Sequence, residues 1–175
     1  MGTRNIWLQQ FPWHGELGPM ARLPAGAQVW RSVEGDWGCS YLADAPPAED
    51  AGWTPLFCRL ALRGAAAGSA VACHYVVETD VLPEHESEFN AWYDQEHLPG
   101  LAGVPGTVRA ARYVRRNGSP RYYACYDLAS SDVLGCEAWL AVRATAWSSR
   151  VRPLFRHTRR TMYRHVNDEE WRRGP

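Results

Sequence analysis

Between residues 73 and 166 the apolar pattern changes period in the order strand, helix, strand, strand, helix, strand, an order that few folds satisfy. Residues 73 to 81 (CHYVVETDV) are rich in β-forming side chains. Their alternation puts His74, Val76 and Glu78 on one face and Tyr75 and Val77 on the other. Pro83, followed by Glu84, Glu86 and Glu88, opens a helix with Phe89, Tyr93 and His97 on one stripe at i, i+4 and i+8. Pro99 cannot donate to a helix ladder and biases Leu98 away from helix, so the helix is predicted to end near Leu98. His97 then sits in the last turn, where the helix dipole favours its protonated form. Residues 107 to 115 and 121 to 128 read as a hairpin turning at Asn117, Gly118 and Pro120. Ser130 or Ser131 caps a second helix carrying Leu134, Ala138, Ala141 and Val142, and a last strand runs from about Leu154 to Val166. This βαββαβ order predicts an antiparallel sheet with helices on one face, and something else must bury the other face.

The first 64 residues suggest what does. VWRSVEGDWGCSYLADAP can be laid over ARYVRRNGSPRYYACYDLASSD, which pairs Cys39 with Cys125, Leu42 with Leu128 and Ala43 with Ala129. The PLFCR at 55 to 59 echoes PLFR at 153 to 156. This reads as a degenerate internal repeat whose first strand is 5 to 11, whose first helix is lost or reduced and whose second is shortened. Two four-stranded sheets would then pack face to face in one chain and close a barrel. A hairpin-rich extension with accidental similarity is the alternative. The predicted organisation is a β-rich half (1–64), a small-residue linker (65–71), the βαββαβ half (72–167) and a C-terminal tail (168–175).

Composition removes several chemistries. All 19 basic residues are Arg, so Schiff-base chemistry and a phosphate loop, which need Lys, are excluded. The 19 Asp and Glu balance them, and no nucleic-acid partner is expected; the arginines from Arg150 to Arg164 read as a solvated strand edge. No apolar run is long enough to span a membrane and no signal peptide is evident, so a cytoplasmic protein is expected. The cysteines Cys39, Cys58, Cys73, Cys125 and Cys136 form no CxxC pair, which points to free thiols and no metal site.

The string WYDQEHLP, the VPG loop, a strand with RAARY and the later RYYACYDLASSDVL resemble the EthD-like family of the dimeric α/β-barrel superfamily over about residues 72 to 166. The resemblance implies an α+β fold: a ferredoxin-like half plus the degenerate β-rich repeat, together forming a barrel core of that superfamily's kind. It also implies a pocket at the barrel centre, lined by the sheet faces away from the helices, with the His of the HLP element, His97, near it. Fold is better specified than reaction by such a likeness.

His97 is therefore the first candidate general acid or base, with Asp94 one turn away to orient it and Tyr93 to donate to a developing oxyanion. The plain structural readings are a helix-end His, a surface partner of Arg and a packing ring. His74 on the first strand and Cys125 in YYACYDL join the catalytic set, each with a packing alternative. Substrate contacts are assigned to Trp92, Trp37, Tyr123, His14 and His157; the nine tryptophans would suit an aromatic ligand, or simply fill space between two sheets. The reading is a cofactor-independent isomerase, cyclase or lyase that moves a proton on a small cyclic (aromatic, lactone or polyketide-like) substrate, with neither cofactor nor metal, and a homodimer is allowed for. Its alternatives are a cofactor-free monooxygenase of the same fold and a non-catalytic small-molecule binder. Haem on His97 or His157 is a further option without a sequence signature.

Overall fold

The computed structural model describes residues 5–13, 27–43 and 52–167. Eight strands close an antiparallel barrel: β1 (Ile6–Pro12), β2 (Gln28–Ser32), β3 (Trp37–Leu42), β4 (Thr54–Arg63), β5 (Cys73–Asp80), β6 (Thr107–Val114), β7 (Tyr122–Leu128) and β8 (Arg156–His165). Round the barrel their order is β1-β3-β2-β8-β5-β7-β6-β4. The set β4-β1-β3-β2 and the set β8-β5-β7-β6 thus have the same internal order, fourth, first, third, second. β3 with Cys39 and β7 with Cys125 hold the same place in each.

Period-two alternation sorts most of the buried side chains into two large cores, beside a small third cluster of Phe11, Trp13, Val29 and Val166. Inside the barrel lie Leu8, Trp30, Cys39, Leu56, Val76, Ala111, Tyr113, Tyr123, Cys125 and Tyr163. The opposite face of the C-terminal sheet, with Val77, Ala110, Tyr126 and Leu128, packs on the helices through Phe89, Trp92, Leu98, Leu101 and Trp139. β5 separates these layers: His74, Val76 and Glu78 belong to the barrel, Tyr75 and Val77 to the helix side.

The predicted helix stop at Leu98 is overturned. After a 3-10 turn at Pro83–His85 and α1 (Glu86–Trp92), the chain continues through a π-helical segment, Tyr93–His97, into α2 (Leu98–Ala102). The Leu98 N–H reaches back five residues to the Tyr93 carbonyl. Pro99 then falls in the first turn of α2, where a missing N–H costs little. His97 is consequently mid-helix and has no exposed helix end beside it. The second helix also differs from expectation. Ser130 caps only a 3-10 turn (Ser131–Val133), and α3 (Glu137–Arg143) and α4 (Ala146–Val151) follow, with Thr145 capping α4 through the Ser148 N–H. Gly64, after β4, donates to the Val108 carbonyl and lies so close to β6 that a Cβ would meet the Thr107 carbonyl oxygen at 2.0 Å. That close approach draws the start of the 65–71 segment against the C-terminal half.

Candidate functional site

A row of polar side chains crosses the barrel wall at one end. Arg109 on β6 pairs in register with Asp127 on β7, and Asp127 with His74 on β5. The His74 Nδ1 lies 2.7 Å from Asp127 Oδ1 and its Nε2 3.0 Å from the Tyr41 hydroxyl on β3. The imidazole is buried between the Trp30 ring, 5.0 Å away, and the Tyr41 ring, 5.2 Å away. Burial alone would raise the Asp127 carboxyl, but the hydrogen bond from His74, helped by the Arg109 charge, holds it below the ordinary carboxylate value. Asp127 is therefore anionic, the His74 Nδ1–H donates to it, and Nε2 accepts from the Tyr41 O–H. Arg109 Nη2 donates to the Tyr113 hydroxyl at 2.6 Å, and its Nη1 stands 3.8 Å from Asp127.

These groups line a cavity of about 210 Å3 inside the barrel, together with Trp30 and Cys125. The buried Trp30 indole N–H has no hydrogen-bond partner among the described residues. Burial pushes the Cys125 and Cys39 thiols far up, so both stand as neutral thiols rather than nucleophiles. Cys125 shares this cavity with His74; His97 lines a different one. The opposite end of the barrel is plugged by Glu78, fully buried, which takes three hydrogen bonds from Arg159 and a fourth from Gln10 on β1.

His97 is not at the barrel centre. The helices pack on the outer face of the sheet, so His97 lies across β5 from the interior, stacked on Trp92 at 4.1 Å beside a recess of about 30 Å3. Burial first, then the charges of Arg152 and Arg143, push its pKa down to about 3, the reverse of the protonated helix-end His expected from sequence. Asp94 does not orient it: its carboxylate takes Arg59 at 2.8 Å and stands 3.5 Å from Arg112. Tyr93 packs its ring 4.3 Å from the buried Arg112 guanidinium, which also lies against Phe89 and Tyr122 and donates to Asn90.

The remaining predicted contacts scatter. Trp92 is core beside His97, and Tyr123 is barrel core near Glu78. Trp37 is half-exposed under Arg159, and His157 is a surface residue beside Asp80, so neither lines the 210 Å3 cavity. His14 lies outside the described residues. Sequence reasoning missed Tyr41, Asp127, Arg109 and Tyr113. A usable signal was present: Tyr41 and Asp127 each stand two residues after the paired cysteines Cys39 and Cys125, hence on the same inward faces. Among the described residues no group of His, Cys, Asp and Glu could hold a metal, and no helix is long and apolar enough to cross a membrane. A haem macrocycle does not fit on His97, because Trp92 covers that ring beside a recess of about 30 Å3.

No protein-family model and no curated protein matches the chain, so the EthD-like assignment gains no support beyond the fold it implied. Solved structures share the architecture over nearly the whole chain. An uncharacterised ferredoxin-fold protein related to antibiotic biosynthesis monooxygenases, from Listeria monocytogenes, superposes with a TM-score of 0.65 at 10% identity, covering 95% of this chain and 96% of that one. LmHde, a heme-degrading enzyme from the same organism, gives 0.62 at 9% identity over 93% of this chain and 100% of that one. An anthrone oxidase-like protein gives 0.59 at 14% identity, covering 95% and 92%. At such identities the likeness establishes the ferredoxin-like α+β barrel fold and leaves the chemistry to the site.

Proposed function

We propose that the protein is a cofactor-independent monooxygenase acting on a small enolisable or phenolic ring compound held in the barrel cavity. One observation carries the reading: the Tyr41–His74–Asp127 hydrogen-bond chain ends in a cavity of about 210 Å3 whose wall also holds an arginine. The volume lies below the roughly 300–1,000 Å3 of drug-sized sites, which suits a compact substrate.

In the first step the substrate gives its acidic proton to the Tyr41 oxygen as Tyr41 passes its own to His74 Nε2, and Asp127 steadies the imidazolium. Burial holds the Tyr41 hydroxyl well above its ordinary value, so Tyr41 relays the proton and does not rest as tyrosinate. Arg109 faces the substrate anion, with Tyr113 orienting it. The anion then reduces dioxygen by two electrons and forms a hydroperoxide at its own carbon, taking up a proton; loss of water from that adduct leaves a carbonyl. No reductant beyond the substrate is needed. The fold shared with monooxygenase-related and anthrone oxidase-like proteins supports oxygen as the acceptor over a pure isomerase, cyclase or lyase.

Anthrone is the probe. Oxygen-electrode traces of the native chain, His74→Gln and Asp127→Asn are run beside deuterium exchange into the probe. Oxygen uptake that falls at least tenfold in both variants is the expected result. Exchange without uptake would move the reading to proton-transfer isomerase or lyase chemistry, and native and variant chains alike in both assays would sink it.

A further inference from the structure

On the helix side of β5, away from the barrel cavity, three guanidinium groups converge where no acid answers them. Arg143 ends α3, Arg152 follows α4 and Arg160 lies on β8, and all three line the recess beside His97. The recess has no carboxylate in its wall. Among the described residues none of the three arginines has an ion-pair or hydrogen-bond partner, although Arg59, Arg109, Arg112, Arg121, Arg150 and Arg159 each have a carboxylate within 4 Å. Each also repels the others: desolvation and then the charges of Arg143 and Arg160 lower the Arg152 pKa, and Arg152 and Arg143 help keep His97 unprotonated. His97 lines the same recess. His97 is more than nine-tenths buried, and its Nδ1 has no hydrogen-bond partner.

Three guanidinium groups close enough to repel one another, with no carboxylate among them, make a local positive field that favours an anion between them. The water-sized volume, about 30 Å3, admits only a head group. We propose that this recess is an anion site that takes an oxyanion group, carboxylate or phosphate, between Arg143, Arg152 and Arg160, beside the His97 ring. Guanidinium groups suit such oxygens because their planar forks match them in pairs. The body of a carboxylate-bearing ligand would lie outside, against Phe155, which also lines the recess. This site is independent of the proton-transfer site, because β5 presents His74 to one and Tyr75 to the other.

The test uses the full chain, with inorganic phosphate and benzoate as probes at constant ionic strength, followed by isothermal titration calorimetry and by the ¹⁵N resonances of His97. Saturable binding of at least one probe, near one per chain and with a shift at His97, is expected. Phosphate alone would identify a free oxyanion, and benzoate a carboxylate-bearing ligand. The Arg143→Gln/Arg152→Gln variant should weaken binding at least tenfold, while Arg150→Gln, whose guanidinium sits beside Glu88 on the surface, should leave it unchanged. If the double variant loses its native circular dichroism, Arg160→Gln on the strand takes its place. Absence of saturable binding by both probes, or binding undiminished in the arginine variants, overturns the proposal.

Discussion

Asp94 and Asp127 each follow a tyrosine, in WYDQ and CYDL, yet their neighbours give them opposite work. Asp94 is spent on Arg59 and Arg112, whereas Asp127 faces an imidazole inside the barrel. Asp127→Asn should keep the side chain's shape but unsettle the His74 tautomer, so turnover should fall about a hundredfold or more, read as kcat on anthrone with the fold checked by circular dichroism. His97 yields a second expectation. Its folded pKa of about 3 lies below the unfolded 6.5, so between those values the unfolded chain binds the extra proton. Stability must therefore be fully present above about pH 6.5 and decline as pH falls toward 3, by up to roughly 1.4 kcal/mol per pH unit from this residue. Asp127, also lowered, adds loss in the same direction only below its unfolded value of 3.8. Urea titrations at a series of pH values should show a flatter slope from pH 6.5 to 4 in His97→Asn than in the native chain; equal slopes would contradict the assignment.

Elements follow rules of period and turn chemistry, and β5, β6 and β7 lie within a residue or so of their expected bounds because β-forming side chains fill them and turn residues bound them, even with register shifts at Glu78/Asp80 and Thr107/Arg109. The helices were less legible. A proline read locally is a stop, but the π-helical turn at Tyr93–His97 shifts the ladder so that Pro99 begins a new α-turn. Only contacts from outside could hold that path, since Leu98 and Leu101 are buried in the helix-side core. Glycines at the junctions test the element packing. Gly64→Ala would push a Cβ to 2.0 Å from a backbone oxygen of Thr107, which cannot swing away. Gly100→Ala meets the Val142 side chain at 2.8 Å, which can partly yield. Overpacking costs about 1–3 kcal/mol, and chemical denaturation should place Gly64→Ala at or above the top of that range and Gly100→Ala below it.

At the scale of the molecule, β4 against β6 and β2 against β8 join the two strand sets and close the barrel within one chain. The Glu78 plug ties β1, β5 and β8 across the interior. Arg159→Met, which leaves Glu78 buried with only Gln10, should destabilise by about 3 kcal/mol, and adding Glu78→Gln should recover part of that loss in urea unfolding. Closure also leaves no open edge among the described strands, so a homodimer would not be built by pairing those strands edge to edge. Sedimentation at 19.7 kDa would mark a self-sufficient chain, and twice that mass a homodimer. The sequence by itself determined the element order of the C-terminal half, the sorting of β5 side chains into two faces and the absence of lysine chemistry, because these depend on local period and residue inventory. Only the tertiary structure decided which candidates meet. The sheet stands between His97 and the barrel, and His74 reaches Tyr41 and Asp127 from strands far apart in sequence. No spacing along the chain encodes a partnership made by folding it across itself.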